Sequence, residues 1–147
     1  MTPNPMIVLG DFAGRLMQVL APDLRSPYLA GSTALMAATM GMMVEEWDRL
    51  AARLAEENAA LRALFAQAAP LAPGGLATRL DDLAKGLDAD LRVSSLQAAN
   101  NTLRAALIEL QAWAEDQTGP AVMALNKAIW AELSTSTDRR RLSATPF

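Results

Sequence analysis

The stretch EEWDRLAARLAEENAALRALF, residues 45–65, decides the fold of this chain. In a helix, successive residues are about 100° apart, and on this spacing the apolar side chains of the stretch, counted from Leu50, lie on one face. That face and its continuation hold Met43, Trp47, Leu54, Leu61, Leu64, Phe65 and Ala68. Glu57 projects within about 20° of the centre of this stripe, and Asn58 lies on its edge. The pattern predicts a long amphipathic helix that directs a carboxylate and an amide toward the interior.

Alanine and leucine dominate the rest of the chain, with 30 Ala and 23 Leu among 147 residues. Both residue types favour helices, and the alternation expected of strands is scarce. The length fits one ordinary domain with its own core. We therefore expect an all-α fold in a single helical domain spanning residues 1–147. The economical arrangement is an antiparallel bundle of four to five helices with one long central helix, straight or bent.

Helix boundaries follow from proline, glycine and serine positions. The expected helices cover approximately residues 6–21, 27–69, 76–91, 95–117 and 120–133. Pro22 is expected to stop the first helix, and Ser94 or Ser95 to cap the fourth. The second would be about 65 Å long at 1.5 Å per residue. Because that exceeds the usual need of a compact domain, we expect a break or bend near Gly31–Thr33 or Gly41.

Residues 135–147 lose the apolar period and are expected to form a flexible C-terminal tail. The tail contains the basic run Arg139-Arg140-Arg141. We interpret this run as a solvated chain end, with a weak contact to an acidic partner or an anionic lipid as the alternative.

Composition excludes several classes of function. The chain contains no Cys and no His, which removes disulfides, thiolate or imidazole metal ligands and the usual nucleophile and base pairs. The net charge of −3 disfavours tracking of nucleic-acid phosphates. We expect no catalytic residue, no metal, no cofactor and no nucleic-acid partner, and the sequence disfavours an enzyme.

Residues 26–44 carry no charge over nineteen positions and are the one stretch that suggests a membrane span. Polar and small residues dilute it, namely Ser26, Gly31, Ser32, Thr33, Thr39 and Gly41. We therefore expect a buried helix rather than a span. The first residues show no basic segment before an apolar run, so the sequence predicts a cytoplasmic protein.

Three amides fall on apolar helix faces: Asn58, Asn100 and Asn126. Each can bond a neighbouring helix and fix its register, as buried polar residues do in coiled coils. The alternative is a small polar-lined ligand site between helices. The carboxylate of Glu57 needs a partner at its apolar position, and Arg53 is one candidate at helical spacing.

A carboxylate metal site is the alternative to this structural interpretation. Glu46 and Glu57 could share a hard cation with Glu109 or Glu132. Bundles that hold such metals usually add a Glu-x-x-His motif, and this chain has no His. The sequence therefore favours an ion-pair network over a metal or an acid–base site.

A cluster of methionines and small residues occupies nearly all directions around residues 30–43, so we expect other helices or another chain to enclose it. The leading hypothesis is a non-enzymatic helical-bundle interaction or scaffold protein that forms a homodimer through this half of the long helix. The alternative is a bundle that binds a small apolar ligand or acyl chain. Its pocket would be lined by Met36, Met40, Met43, Trp47, Asn58 and Asn100.

Overall fold

The computed structural model describes residues 3–143, and these residues contain no strand. These described residues are 82% helical, and they include a long helix from residue 27 to residue 68. The all-α bundle predicted from composition and periodicity is confirmed. In chain order the helices are α1 (Pro5–Arg15), a π-helical turn (Leu16–Leu20), α2 (Ala21–Asp23), α3 (Pro27–Ala68), α4 (Gly74–Ala84), α5 (Val93–Glu115) and α6 (Pro120–Arg139).

Internal contacts divide the chain into two compact units. The described residues of Met1–Leu50 and Leu142–Phe147 belong to unit 1, and Ala51–Arg141 forms unit 2. Helix α3 contributes its first half to unit 1 and its second half to unit 2. A single cooperative domain stays a prediction.

The first helical segment passes the proline that was expected to end it. Asn4 caps α1 by accepting a hydrogen bond from the backbone N–H of Met6, and helical structure then runs to Asp23. The ring of Pro22 would clash with a carbonyl one regular turn earlier. The chain instead widens into a π turn, in which the N–H of Ala21 donates to the carbonyl of Leu16, five residues back.

Helix α3 continues without interruption from Pro27 to Ala68, so the break expected at Gly31–Thr33 or Gly41 is absent. A helical glycine costs only about 1 kcal/mol relative to alanine. The long runs of Ala, Leu and Met around both glycines compensate for that cost. The helix ends two residues before Pro70, close to the predicted boundary.

Helix α4 is shorter than predicted, because it ends at Ala84 instead of continuing to Leu91. Leu87 and Leu91 lie in the following non-helical segment, and both are exposed. These two residues follow Leu83 at four-residue intervals, which is the spacing of one face of a helix. Gly86 weakens helical continuation here.

Helix α5 also begins differently from the prediction. Its N-cap is Arg92 rather than Ser94 or Ser95. The hydroxyl of Ser95 instead donates to the carboxylate of Asp90, which also accepts from the backbone N–H of Arg92.

Unit 2 has a continuous apolar core from α3, α4, α5 and α6. Its fully or almost fully buried members are Leu61, Leu64, Phe65, Ala68, Leu80, Leu103, Ala106, Leu107, Leu110, Ala114, Leu125 and Ile129. Each large side chain contributes about 1.5–3 kcal/mol when fully removed from water.

Helix α6 extends to Arg139, five residues into the segment predicted to be a tail. Residues 144–147 of that tail lie outside the described residues.

Candidate functional site

The main polar cluster of unit 2 is built around Glu57. Its side chain is 1% exposed, although glutamate is almost never fully buried without partners. The apolar periodicity of α3 dictates this position, because Glu57 follows Leu54 by three residues and precedes Leu61 by four. The prediction of an inward carboxylate is confirmed.

Donors from α5, from α6 and from the residue just after α6 surround this carboxylate. Arg140 donates from Nε to Oε1 at 3.0 Å and from Nη2 to Oε2 at 2.6 Å. The hydroxyl of Ser136 donates to Oε1 at 3.1 Å. Asn100 Nδ2 and Arg104 Nη1 each lie 3.3 Å from Oε2. Five donor atoms therefore replace the water that Glu57 loses on burial.

The balance of these contacts keeps Glu57 ionised. Burial raises the pKa of its carboxyl group, but the guanidinium of Arg140 and the hydroxyl of Ser136 outweigh that effect. The resulting pKa lies below the ordinary glutamate value. A strong base or a proton-sharing acid needs the opposite shift. Glu57 consequently keeps its negative charge near neutral pH and does not exchange protons there.

The two buried amides extend the cluster across α3 and α5. Asn58 and Asn100 are both fully buried. Asn100 Nδ2 donates to Asn58 Oδ1 at 3.0 Å, and Asn58 Nδ2 donates to the carbonyl of Leu96 at 3.2 Å. Each amide thus bonds a neighbouring helix, as the register interpretation predicted. Asn100 Oδ1 is buried and has no hydrogen-bond partner among the described residues.

A second ion pair closes the cluster at the segment after α4. Asp88 accepts two hydrogen bonds from Arg62, at 3.0 and 2.6 Å, and Asn58 Nδ2 lies 3.2 Å from both of its carboxylate oxygens. The pKa of Asp88 lies below its ordinary value, chiefly because of the hydrogen bond from Arg62. This pair holds the chain between α4 and α5 against α3.

The carboxylates considered for a metal have other partners. Glu109 accepts from Arg79, and Glu132 accepts from Arg139. Within residues 3–143 no three acidic side chains come together in a way that could hold a metal ion.

The predicted apolar site residues lie on the first half of α3, in unit 1. Met36 and Trp47 are each 57% exposed and Met43 is 51% exposed, whereas Met40 is partly buried. With Leu29, which is exposed to a similar degree, they fall within an arc of about 60° on the helix. We call Leu29, Met36, Met40, Met43 and Trp47 the apolar seam. It is a solvent-facing ridge, and its two partners in the predicted pocket, Asn58 and Asn100, belong to unit 2.

Unit 1 buries little of its apolar surface. In residues 3–50, the buried residues are Ala21 and Ala37, which are 9% and 3% exposed. The seam shares its helical positions with Leu54, Leu61 and Leu64, which are buried in the core of unit 2. One continuous stripe of α3 is therefore covered in its second half and exposed in its first.

An open depression of about 350 Å³ lies elsewhere, between the end of α3 and α4. It is lined by Ala66, Ala69, Pro70, Ala77, Thr78 and Asp81. None of the six predicted ligand-binding residues contributes to it.

The helices within residues 3–143 lack the combination of length and hydropathy that crossing a bilayer requires.

Sequence reasoning missed three donors of the cluster: Arg104, Ser136 and Arg140. Arg104 follows Asn100 by four residues, so its helical spacing could have identified it. Ser136 and Arg140 lie in a polar segment without apolar periodicity, where the sequence carries no signal of burial.

No protein-family model, no curated protein and no solved structure matches the chain.

Proposed function

We propose that this chain is a non-enzymatic interaction or scaffold protein, cytoplasmic and homodimeric, joined through the apolar seam of α3. The exposed seam is the observation that carries the proposal. Its side chains hold the helical positions of a core, yet Met36, Met43 and Trp47 stay more than half exposed in the single chain. Contiguous exposed apolar surface of this kind marks interaction sites.

Unit 1 also exposes apolar side chains beyond the seam. Twelve large apolar side chains in the described part of unit 1 are more than a third exposed: Ile7, Phe12, Met17, Val19, Leu20, Leu24, Tyr28, Leu29, Leu35, Met36, Met43 and Trp47. At roughly 100 Å² each they present about 1,200 Å² per copy. A standard interface buries about 800 Å² per partner. Four of these twelve side chains belong to the seam, so a second copy reaches the usual size only where it also covers exposed residues beside the seam.

The polar cluster supports the non-enzymatic part of the proposal. Hydrogen-bond donors surround the Glu57 carboxylate, and its pKa is lowered. These contacts fit a residue that holds helices together. Asn58 and Asn100 donate to groups on α3, on α5 and after α4. The cluster therefore fixes the helices of unit 2.

Light scattering coupled to size-exclusion chromatography tests the proposal at micromolar concentration. The expected mass is twice the 15.7 kDa of one chain. Met36→Glu places a charge in the seam and should yield the monomer. Met123→Glu is the matched control, because Met123 is 69% exposed on α6, outside the seam, and should leave the dimer intact.

Two results would contradict the proposal. A wild-type monomer that does not change with concentration would rule out the homodimer. A monomer that carries a co-purified apolar molecule in native mass spectrometry would instead support the acyl-chain or apolar-ligand alternative. In that case Met36→Glu should abolish the added mass and Met123→Glu should retain it.

A further inference from the structure

We infer that the two copies of α3 pair in antiparallel orientation, with a two-fold axis beside Met36. The inference rests on the proposed homodimer and specifies its geometry. It follows from the spacing of the seam and from the charges at its two ends.

Two seam residues, Leu29 and Met43, lie symmetrically on either side of Met36. Leu29 precedes Met36 by seven residues and Met43 follows it by seven, a separation of about 10 Å along the helix in each direction. An isologous contact on a two-fold axis pairs residue i with residue j and j with i. With the axis at Met36, Leu29 of each copy meets Met43 of the other. The two Met36 side chains then meet each other.

Side-chain size also fits this register. Ser32 and Met40 lie four residues on either side of Met36 and are both partly buried. The antiparallel pairing sets the small Ser32 of one copy opposite the long Met40 of the other. Alternation of small and large residues across a helix pair allows close packing without voids.

The charges flanking the seam select the antiparallel orientation. Residues 26–44 are uncharged, with Arg25 before them and the acidic pair Glu45-Glu46 after them. Arg25 is exposed and has no ion pair among residues 3–143. A parallel pair would set Arg25 against Arg25 and acidic residues against acidic residues. The antiparallel pair brings Arg25 of each copy near Glu46 of the other.

One apolar pair and one charged pair have midpoints within one residue of each other. The midpoint between Arg25 and Glu46 falls between Leu35 and Met36, and the midpoint of the seam pair Leu29 and Met43 is Met36 itself. The N-terminus of α3 adds partial positive charge beside Arg25, which further favours an acidic neighbour at that end.

Cysteine crosslinking tests the orientation directly, because the natural chain has no cysteine. Three single variants are oxidised under mild conditions: Met36→Cys, Leu29→Cys and Met43→Cys. A disulfide needs Cβ atoms within about 4.5 Å. We expect Met36→Cys to form a covalent dimer by itself. Leu29→Cys and Met43→Cys should crosslink efficiently when mixed with each other and poorly when alone.

Met123→Cys serves as the control for collisional crosslinking, since Met123 lies outside the seam. Efficient self-crosslinking of both Leu29→Cys and Met43→Cys would show a parallel pair and overturn the inference. A dimer in which none of the three seam cysteines crosslinks would overturn it as well. These outcomes differ from failure of the proposed function, which light scattering reports as a wild-type monomer before any oxidation.

Charge reversal gives a second readout that does not depend on disulfide geometry. Arg25→Glu and Glu46→Arg should each raise the dissociation constant of the dimer about 5-fold at low salt. The double variant restores opposite charges across an antiparallel pair and should recover most of the affinity. In a parallel pair the single reversals exchange one like-charge contact for another. Unchanged affinity in both single variants would therefore contradict the antiparallel orientation.

Discussion

Arg140 donates to both carboxylate oxygens of Glu57, a residue 83 positions earlier in the chain. The two hydrogen bonds run in parallel from one planar guanidinium, which is the strong bidentate form of an ion pair. Because Glu57 is buried and Arg140 is partly open to solvent, the pair spans the boundary between core and water. It ties the end of α6 to α3.

Removal of the Glu57 carboxylate should destabilise the fold. Glu57→Ala leaves the donors of Ser136, Arg104 and Arg140 without their common acceptor, and we expect a loss of about 3 kcal/mol in the free energy of unfolding. Urea titration followed by circular dichroism measures this loss. Glu56→Ala is the matched control, because Glu56 is exposed and its contact with Arg139 is 3.9 Å long. That variant should lose less than about 0.5 kcal/mol, and equal losses would contradict the assigned role of Glu57.

The stability that Glu57 provides should depend on pH in one direction. Its pKa is lowered in the folded chain from the ordinary value of 4.5, so the folded state binds this proton less readily than the unfolded state. The contribution is complete above about pH 4.5 and declines as the pH falls through the lowered pKa. The stability difference between wild type and Glu57→Gln should be constant from pH 7 to pH 5 and should shrink below that range. A difference that grows on acidification would contradict the prediction.

A negative charge should not be tolerated at Asn100. Its Nδ2 lies 3.3 Å from Glu57 Oε2, so Asn100→Asp replaces a donor with a second buried carboxylate. We expect a loss of about 3 kcal/mol or more at pH 7, measured by urea unfolding. Asn101→Asp makes the same chemical change at an exposed neighbouring position and should alter stability by less than about 0.5 kcal/mol.

Gly119 should resist substitution because of its backbone conformation. Its φ is 130° at the N-cap of α6, a region that residues with a Cβ rarely adopt. Gly119→Ala should lower the free energy of unfolding by about 2 kcal/mol. Gly75 lies in α4 with open space where an alanine Cβ would stand, so Gly75→Ala should raise stability by about 0.5 kcal/mol. Thermal unfolding of both variants separates the two effects.

Periodicity predicted the parts of the structure that depend on one helix at a time. The burial of Glu57, Asn58 and Asn100 follows from their place on an apolar face, and the structure confirms it. The extent of α4 could not be predicted, because the four-residue spacing of Leu83 and Leu87 continues beyond the helix. The segment after α4 takes its position from the long-range ion pair between Asp88 and Arg62.

The partners of the cluster show more clearly what helical periodicity cannot predict. Arg140 belongs to a polar run that resembles a solvated end, and only the path of α6 brings it to Glu57. Helical spacing carries no information about which residue of a distant helix faces a given carboxylate. The exposure of Met36 and Met43 is a similar case, since an apolar helix face has the same sequence pattern whether its own chain or another chain covers it.

The distance along the chain between Glu57 and Arg140 also bears on biosynthesis. A ribosome that adds 5–20 residues per second needs roughly 4–17 s to progress from one to the other. During that interval Arg140 has not been synthesised, so the carboxylate of Glu57 is more stable in water than buried. The late arrival of Arg140 therefore sets the earliest moment at which this part of the nascent polypeptide can dehydrate and fold to completion.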